Sequence, residues 1–116
     1  GIFLDDFSGL AYGVKIFTQS DDYSGKTMTN PTVPIKYKNE YKKAITVNKH
    51  SIIGTSSIMM PGVVVGGAAA VGAMSLIRKS TEPWSIMLGN PAKKIKNRSK
   101  HLLQLEEQYL KMETNK

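Results

Sequence analysis

The sequence predicts an all-β chain of short strands that turn every six residues, interrupted by one extruded loop and followed by a C-terminal α-helix. Three observations predict it. Val47, Ile53, Met59, Val65, Val71 and Ile77 recur at a spacing of six, and all are apolar. Four places after each stands a small or β-branched residue: Ser51, Ser57, Val63, Ala69, Ser75 and Thr81. Residues 51–77 carry no charged side chain. Six residues on an α-helix advance by roughly 240°, which leaves no apolar stripe. Six is an even number, so in extended chain every member of the series points to one face.

The elements follow in order. Leu4, Leu10 and Ile16 open the same period, with Ser8, Val14 and Ser20 four places later. From Ile16 to Val47 the period breaks, because the 31-residue step is not a multiple of six. The segment 21–44 is polar and holds Pro31 and Pro34, so it is expected to leave the repeat as a loop. From Val47 the repeat resumes, with Gly54, Gly66 and Gly72 directly after three of its apolar members, where glycine would ease a bend. A meander of ordinary hairpins would favour Asn-Gly or Asp-Gly turns, and the chain has neither. Residues 51–77 are no bilayer span, since their longest apolar run is four residues against the ~20 that a span needs. Ser99 is expected to cap a helix running to about residue 112, with Leu102, Leu105, Tyr109 and Leu110 on one side. That helix is expected to act as a cap or a subunit contact and to have no catalytic role.

The run IIGTSSIMMPGVVVGGAAAVGAMSLIRKS followed by EPWSIMLGNPAKKIKNR resembles the end of a hexapeptide-repeat acyltransferase. The resemblance covers about residues 1 to 98 and is dense from 45 to 98. It implies a left-handed parallel β-helix with three hexapeptides per triangular coil. The handedness comes from the resemblance alone, since parallel crossovers are almost always right-handed. The implied organisation is a β-helix domain over 1–98, with a loop at about 21–44, and a helix and tail over 99–116.

Composition narrows the chemistry. The 116 residues suit one domain. The chain has no cysteine, which excludes disulfides, thiolate metal sites and cysteine nucleophiles, and only His50 and His101, which excludes a three-histidine metal site. No metal is expected. The opening GIFLDDFSGL starts with Gly, carries two acids and lacks a basic leader, so the chain is expected to be cytoplasmic and a fragment or processed piece. Charge is uneven. Residues 26–50 hold six lysines and one acid, Glu40, while residues 78–100 hold seven basic groups and one acid, Glu82. A basic chain first suggests nucleic acid, but only Trp84 interleaves the second run and no nucleic-acid-binding motif is present. Coenzyme A, with a diphosphate and a 3′-phosphate, gives the charge a more particular partner. By position in the resembling family, Thr55, Ala73, Arg78, Lys79, Lys93 and Lys96 match acetyl-CoA contacts.

Sugar O-acetyltransferases of that family place a His near the start of the loop, where it removes the proton of the acceptor hydroxyl. Here the matching position is Asp21, with Asp22 beside it. A carboxylate suits the task if burial or its like-charged neighbour raises its pKa. Tyr23, Ser24 and His50 are the expected contacts to the acceptor, while Trp84 is expected to pack. The implied function is transfer of an acetyl group from acetyl-CoA to a sugar hydroxyl, in making or decorating bacterial surface polysaccharide, by a homotrimer with no nucleic-acid partner. Two alternatives stand beside it: N-acetylation of an amino-sugar nucleotide, and a non-catalytic β-helix binding or scaffold module.

Overall fold

The structure, a computed structural model, describes residues 1–114. Its strands are β1 (Ile2–Leu4), β2 (Gly9–Leu10), β3 (Lys15–Ile16), β4 (Gln19–Ser20), β5 (Tyr41–Lys42), β6 (Ile45–Val47), β7 (Ile52–Ile53), β8 (Ile58–Met59), β9 (Val64–Val65), β10 (Ala70–Val71), β11 (Leu76–Ile77), β12 (Ser85–Gly89) and β13 (Ala92–Asn97). One helix, α1 (Leu102–Thr114), follows. Within the repeat no strand pairs with its neighbour in sequence. Instead β6 pairs with β9, β7 with β10 and β8 with β11, all parallel. The registers Val47↔Val65, Ile53↔Val71 and Met59↔Ile77 lie three six-residue steps apart. The chain therefore winds through three parallel sheets in turn, laying one short strand on each per coil.

The periodic residues line the inside of this coil. Val47, Ile53, Met59 and Val65 are wholly buried, and Val71 and Ile77 nearly so. Leu4, Leu10 and Ile16 stand in register with Val47, Ile53 and Met59. Leu4 is nevertheless 54% exposed and Leu10 39%, because no described strand pairs with β1 or β2 on the other edge. The small residues at the fourth place fill the corners, where the serine hydroxyls stitch one coil to the next. Ser51 Oγ donates to the Gly66 carbonyl at 2.8 Å, and Ser57 Oγ to that of Gly72 at 3.0 Å. Among the described residues no buried side-chain polar atom lacks a partner, as a buried polar ladder requires.

The glycines serve a different purpose from the expected one. The left-handed bend of each regular corner falls three places after the apolar residue, at His50 (φ 63), Ser56 (φ 59), Gly62 (φ 82), Ala68 (φ 55) and Met74 (φ 58), mostly without glycine. Gly66 is needed for close approach instead. A Cβ there would lie 2.6 Å from both Pro83 N and the Thr81 carbonyl oxygen, and one on Gly54 would lie 2.7 Å from Ala73 N. Backbone leaves little room to yield. Gly66→Ala is expected to destabilise the fold by roughly 1–3 kcal/mol, the usual range for overpacking, read as a lower urea or thermal midpoint. An unchanged midpoint would contradict the contact.

Candidate active site

The third corner of the coil collects the features that bear on chemistry. Between β3 and β6 the chain departs through β4 and returns through β5, which pair antiparallel with Gln19 opposite Lys42 and Ser20 opposite Tyr41. One coil on, the same corner is Gly62, where an added Cβ would meet the Lys43 side chain at 3.1 Å and the Tyr41 hydroxyl at 3.5 Å. One coil further it is Arg78–Ser80. That last turn is two residues shorter than the repeat, since Val65 bridges to Thr81 and Ala70 pairs with Ile86. The extruded loop and the first basic residues of the C-terminal run thus share one edge of the coil.

Against Arg78–Ser80 lies the antiparallel hairpin β12–β13, and between them opens a cleft of about 360 Å³. Its walls are Ile77, Arg78, Lys79, Ser80, Met87, Pro91, Ala92 and Lys93. Three cations and no carboxylate line it, and none of the three is ion-paired among the described residues. The volume falls in the range of small-molecule sites, and three unpaired cations beside an apolar wall suit a phosphate-bearing ligand. Lys94 is drawn away, donating to Glu82 at 2.9 Å. Lys96 is not among the lining residues and stands past the bulge at Ile86/Met87. Thr55 and Ala73 occupy the preceding corner, where the Thr55 carbonyl accepts from Met74 N at 2.8 Å. Met74, Ser75 and the short strand β11 separate Ala73 from Arg78.

The acid pair follows β4 directly. Asp22 Oδ1 accepts the Ser24 backbone N–H at 2.9 Å and Oδ2 accepts the Thr27 hydroxyl at 3.1 Å. These bonds, the Ser24 backbone first, hold the Asp22 carboxyl below its ordinary value, because each favours the ionised form. The Asp22 carboxylate thus braces the turn that opens the loop. The Asp21 carboxylate has no hydrogen-bond partner among the described residues; only its backbone carbonyl accepts, from Ser20 Oγ at 3.2 Å. Tyr23 is 84% exposed, while the Ser24 backbone N–H is taken by Asp22 and its hydroxyl accepts from Lys26 N at 3.2 Å.

His50 lies elsewhere. It sits on the first corner, between β6 and β7, and its ring stacks on Phe7 with centroids 5.1 Å apart. Its Nε2 is 2.7 Å from Glu106 of α1, whose other oxygen accepts from Lys49 at 2.7 Å. Lys49 and then His50 hold the Glu106 carboxyl below its ordinary value, and Glu106 raises the Lys49 ammonium. Arg98 completes the attachment, donating from Nη1 to the carbonyls of His50 at 2.7 Å and Ala68 at 3.0 Å. Within the chain His50 and Asp21 are on different edges. The helix docks through Glu106 and half-buried Leu102, whereas Leu105 and Leu110 of its expected apolar side are exposed. Sequence reasoning missed Arg98, Glu106 and Glu40. Glu40 and Glu82 each stood alone among lysines, a readable sign of ion pairing.

No protein-family model matches the chain. The chain is 39% identical over 103 residues to the dTDP-4-amino-4,6-dideoxy-D-glucose acyltransferase of Escherichia coli, covering 89% of this chain and 54% of that protein. It superposes with a TM-score of 0.94 and 38% identity on AntD, an N-acyltransferase from Bacillus cereus in complex with dTDP and 3-hydroxybutyryl-CoA, over 98% of this chain and 61% of that one. A variant of AntD in complex with dTDP and Coenzyme A matches at a TM-score of 0.81 and 34% identity, over 97% of this chain and 68% of that one. The chain thus spans about half the length of the curated relative. Its six-residue repeat, its three parallel sheets and these relatives agree, and the chain belongs to the hexapeptide-repeat acyltransferase family.

Proposed function

We propose that the protein transfers an acyl group from acetyl-CoA, or a close acyl-CoA, to the amino group of a nucleotide-linked amino sugar. The observation that carries the reading is the unpaired cationic cleft of Arg78, Lys79 and Lys93 on the same edge as the loop that bears Asp21. It gives phosphates and a proton acceptor one side of the coil to work from. The likeness to an amino-sugar acyltransferase and to a dTDP-bound N-acyltransferase favours the amine over the sugar hydroxyl first expected. In this reading the amine nitrogen attacks the thioester carbonyl carbon, the C–N bond forms, the C–S bond breaks and CoA departs as its thiolate. Asp21 takes the proton that the nitrogen sheds, and Asp22 shapes the turn. Tyr23 and Ser24 border the acceptor, and Thr55 and Ala73 carry the pantetheine arm toward the cleft. Lys96 adds charge outside it. His50 serves the acceptor only if another subunit brings its edge to the loop.

The same reading takes the coil as a left-handed parallel β-helix, with a repeat domain over 1–98 and a helical extension from 99. It takes the assembly as a homotrimer, which would cover exposed apolar groups such as Phe3, Leu4, Leu105 and Met112. No helix among the described residues is long and apolar enough to cross a membrane, and a cytoplasmic site of action suits an acyl-CoA donor. The deciding experiment measures thiol release from acetyl-CoA with a dTDP-amino sugar and, separately, with free hydroxylic sugars. Faster release with the amine, with amide product, is expected. Release with hydroxylic sugars alone would return the reading to O-acetylation, and release with neither would favour a binding module.

A further inference from the structure

The extruded loop is closed by a ring of hydrogen bonds, and the ring passes through a carboxylate far from Asp21 in sequence. Lys38 is the unusual member, a lysine whose side chain is only 6% exposed. Its ammonium lies 3.1 Å from Glu40 Oε1, and the Glu40 side chain is 20% exposed. The other oxygen, Oε2, accepts from Gln19 Nε2 at 2.9 Å and lies 3.7 Å from Lys42 Nζ. Gln19 belongs to β4 and Lys42 to β5, so one carboxylate holds both feet of the loop. At its other side the ring runs through the backbone. Lys38 closes the 3₁₀ turn Ile35–Tyr37, donating to the Ile35 carbonyl at 2.9 Å, and Met28 N donates to the Tyr37 carbonyl at 2.8 Å. Thr27, next to Met28, donates to Asp22. From Asp22 the chain leads back through Asp21 and Ser20 to Gln19.

A largely buried ammonium needs a partner, since an isolated buried charge is strongly disfavoured. Glu40 supplies that partner and spends its remaining capacity on the strand from which Asp21 departs. We infer that Glu40 is a positioning residue for the acceptor end of the site, fixing through Gln19 and Lys38 where Asp21 stands relative to the coil. The inference rests on the proposed acyl transfer for its functional half, but the brace itself is testable without any activity.

The test uses Glu40→Gln, Glu40→Asp and Gln19→Met in the full chain. Gln19→Met cuts the link to β4 and leaves the buried ion pair intact, so it reports even where Glu40→Gln fails to fold. Trypsin cleavage after Lys26 and Lys36 reads the loop, and it should speed up ~10-fold in Glu40→Gln and less in Gln19→Met, as local opening becomes more populated. With an amino-sugar nucleotide, the acceptor KM should rise or kcat fall ~10-fold while acyl-CoA affinity stays within about twofold. Glu40→Asp, which keeps the charge, should recover part of both. Unchanged cleavage in both Glu40→Gln and Gln19→Met would overturn the brace. Faster cleavage with unchanged acceptor kinetics in an active enzyme would overturn the positioning role. Faster cleavage of the variants, where the unmutated protein itself acylates no acceptor, would uphold the brace and sink the proposed function instead.

Discussion

Asp21→Asn is expected to lower turnover near neutral pH by about 10²-fold, the lower end of the range for losing a general base, with little change in acyl-CoA affinity. The argument is one of availability. Of the two adjacent carboxylates, Asp22 is committed to Ser24 and Thr27, whereas the Asp21 carboxylate is unpartnered among the described residues. The lower end of the range applies because a free amine is already nucleophilic, so the base assists proton removal without having to create the nucleophile. Raising the pH should therefore restore much of the rate in Asp21→Asn, tracking deprotonation of the substrate amine. Near-normal turnover of the variant at neutral pH would remove Asp21 from the chemistry.

Asp22 should behave differently, and pH separates the two. The Ser24 backbone bond first, and then Thr27, hold its folded carboxyl below the ordinary carboxylate value. A carboxyl depressed in the folded state contributes stability above its unfolded pKa and loses it as pH falls through the folded one. Its contribution is therefore complete at neutral pH, and no rate limb near neutrality belongs to it. Asp22→Asn should act by loosening the turn, which raises trypsin sensitivity after Lys26, and should leave the shape of the pH–rate profile intact.

The fold was legible in the sequence because one variable controls it. A side chain every sixth residue either faces inward or does not, and Val47 to Ile77 are all buried as that period requires. Charge was equally legible in aggregate and less so in detail. Nothing along the chain separates Lys93, which lines the cleft, from Lys94, which pairs with Glu82, because a strand alternates faces and a bulge then resets the alternation. The roles of Glu40 and Arg98 depend on partners far away in sequence. Arg98 reaches the carbonyls of His50 and Ala68, two corners that share an edge only after one full coil. The glycines were misread for a related reason: the period shows where a corner falls, but the atom that approaches Gly66 belongs to the following coil.

The basic cleft gives the second large effect. Arg78, on the shortened corner, and Lys93, on the hairpin, both line the cleft, and neither has an acidic partner among the described residues. A charge-assisted hydrogen bond contributes about 1.5–3 kcal/mol, so losing one raises a dissociation constant roughly 10- to 100-fold. Each of Arg78→Ala and Lys93→Ala is thus expected to weaken acyl-CoA binding about 10-fold by titration calorimetry, and the double variant about 100-fold if the two bind separate phosphates. Salt supplies an independent check. Pairing of exposed charges is screened by added ions, so each variant should show a flatter dependence of affinity on salt. Lys96→Ala, outside the cleft, should change the salt response slightly and the affinity by less than about twofold, since an exposed charge outside the contact contributes little. Dephospho-CoA distinguishes which phosphate the cleft reads. If native protein already binds it as weakly as a single variant binds CoA, the missing 3′-phosphate is the partner of the residue whose removal then has no further effect. Equal losses for Lys96→Ala and Lys93→Ala would instead assign the affinity to the general positive field of residues 78–100.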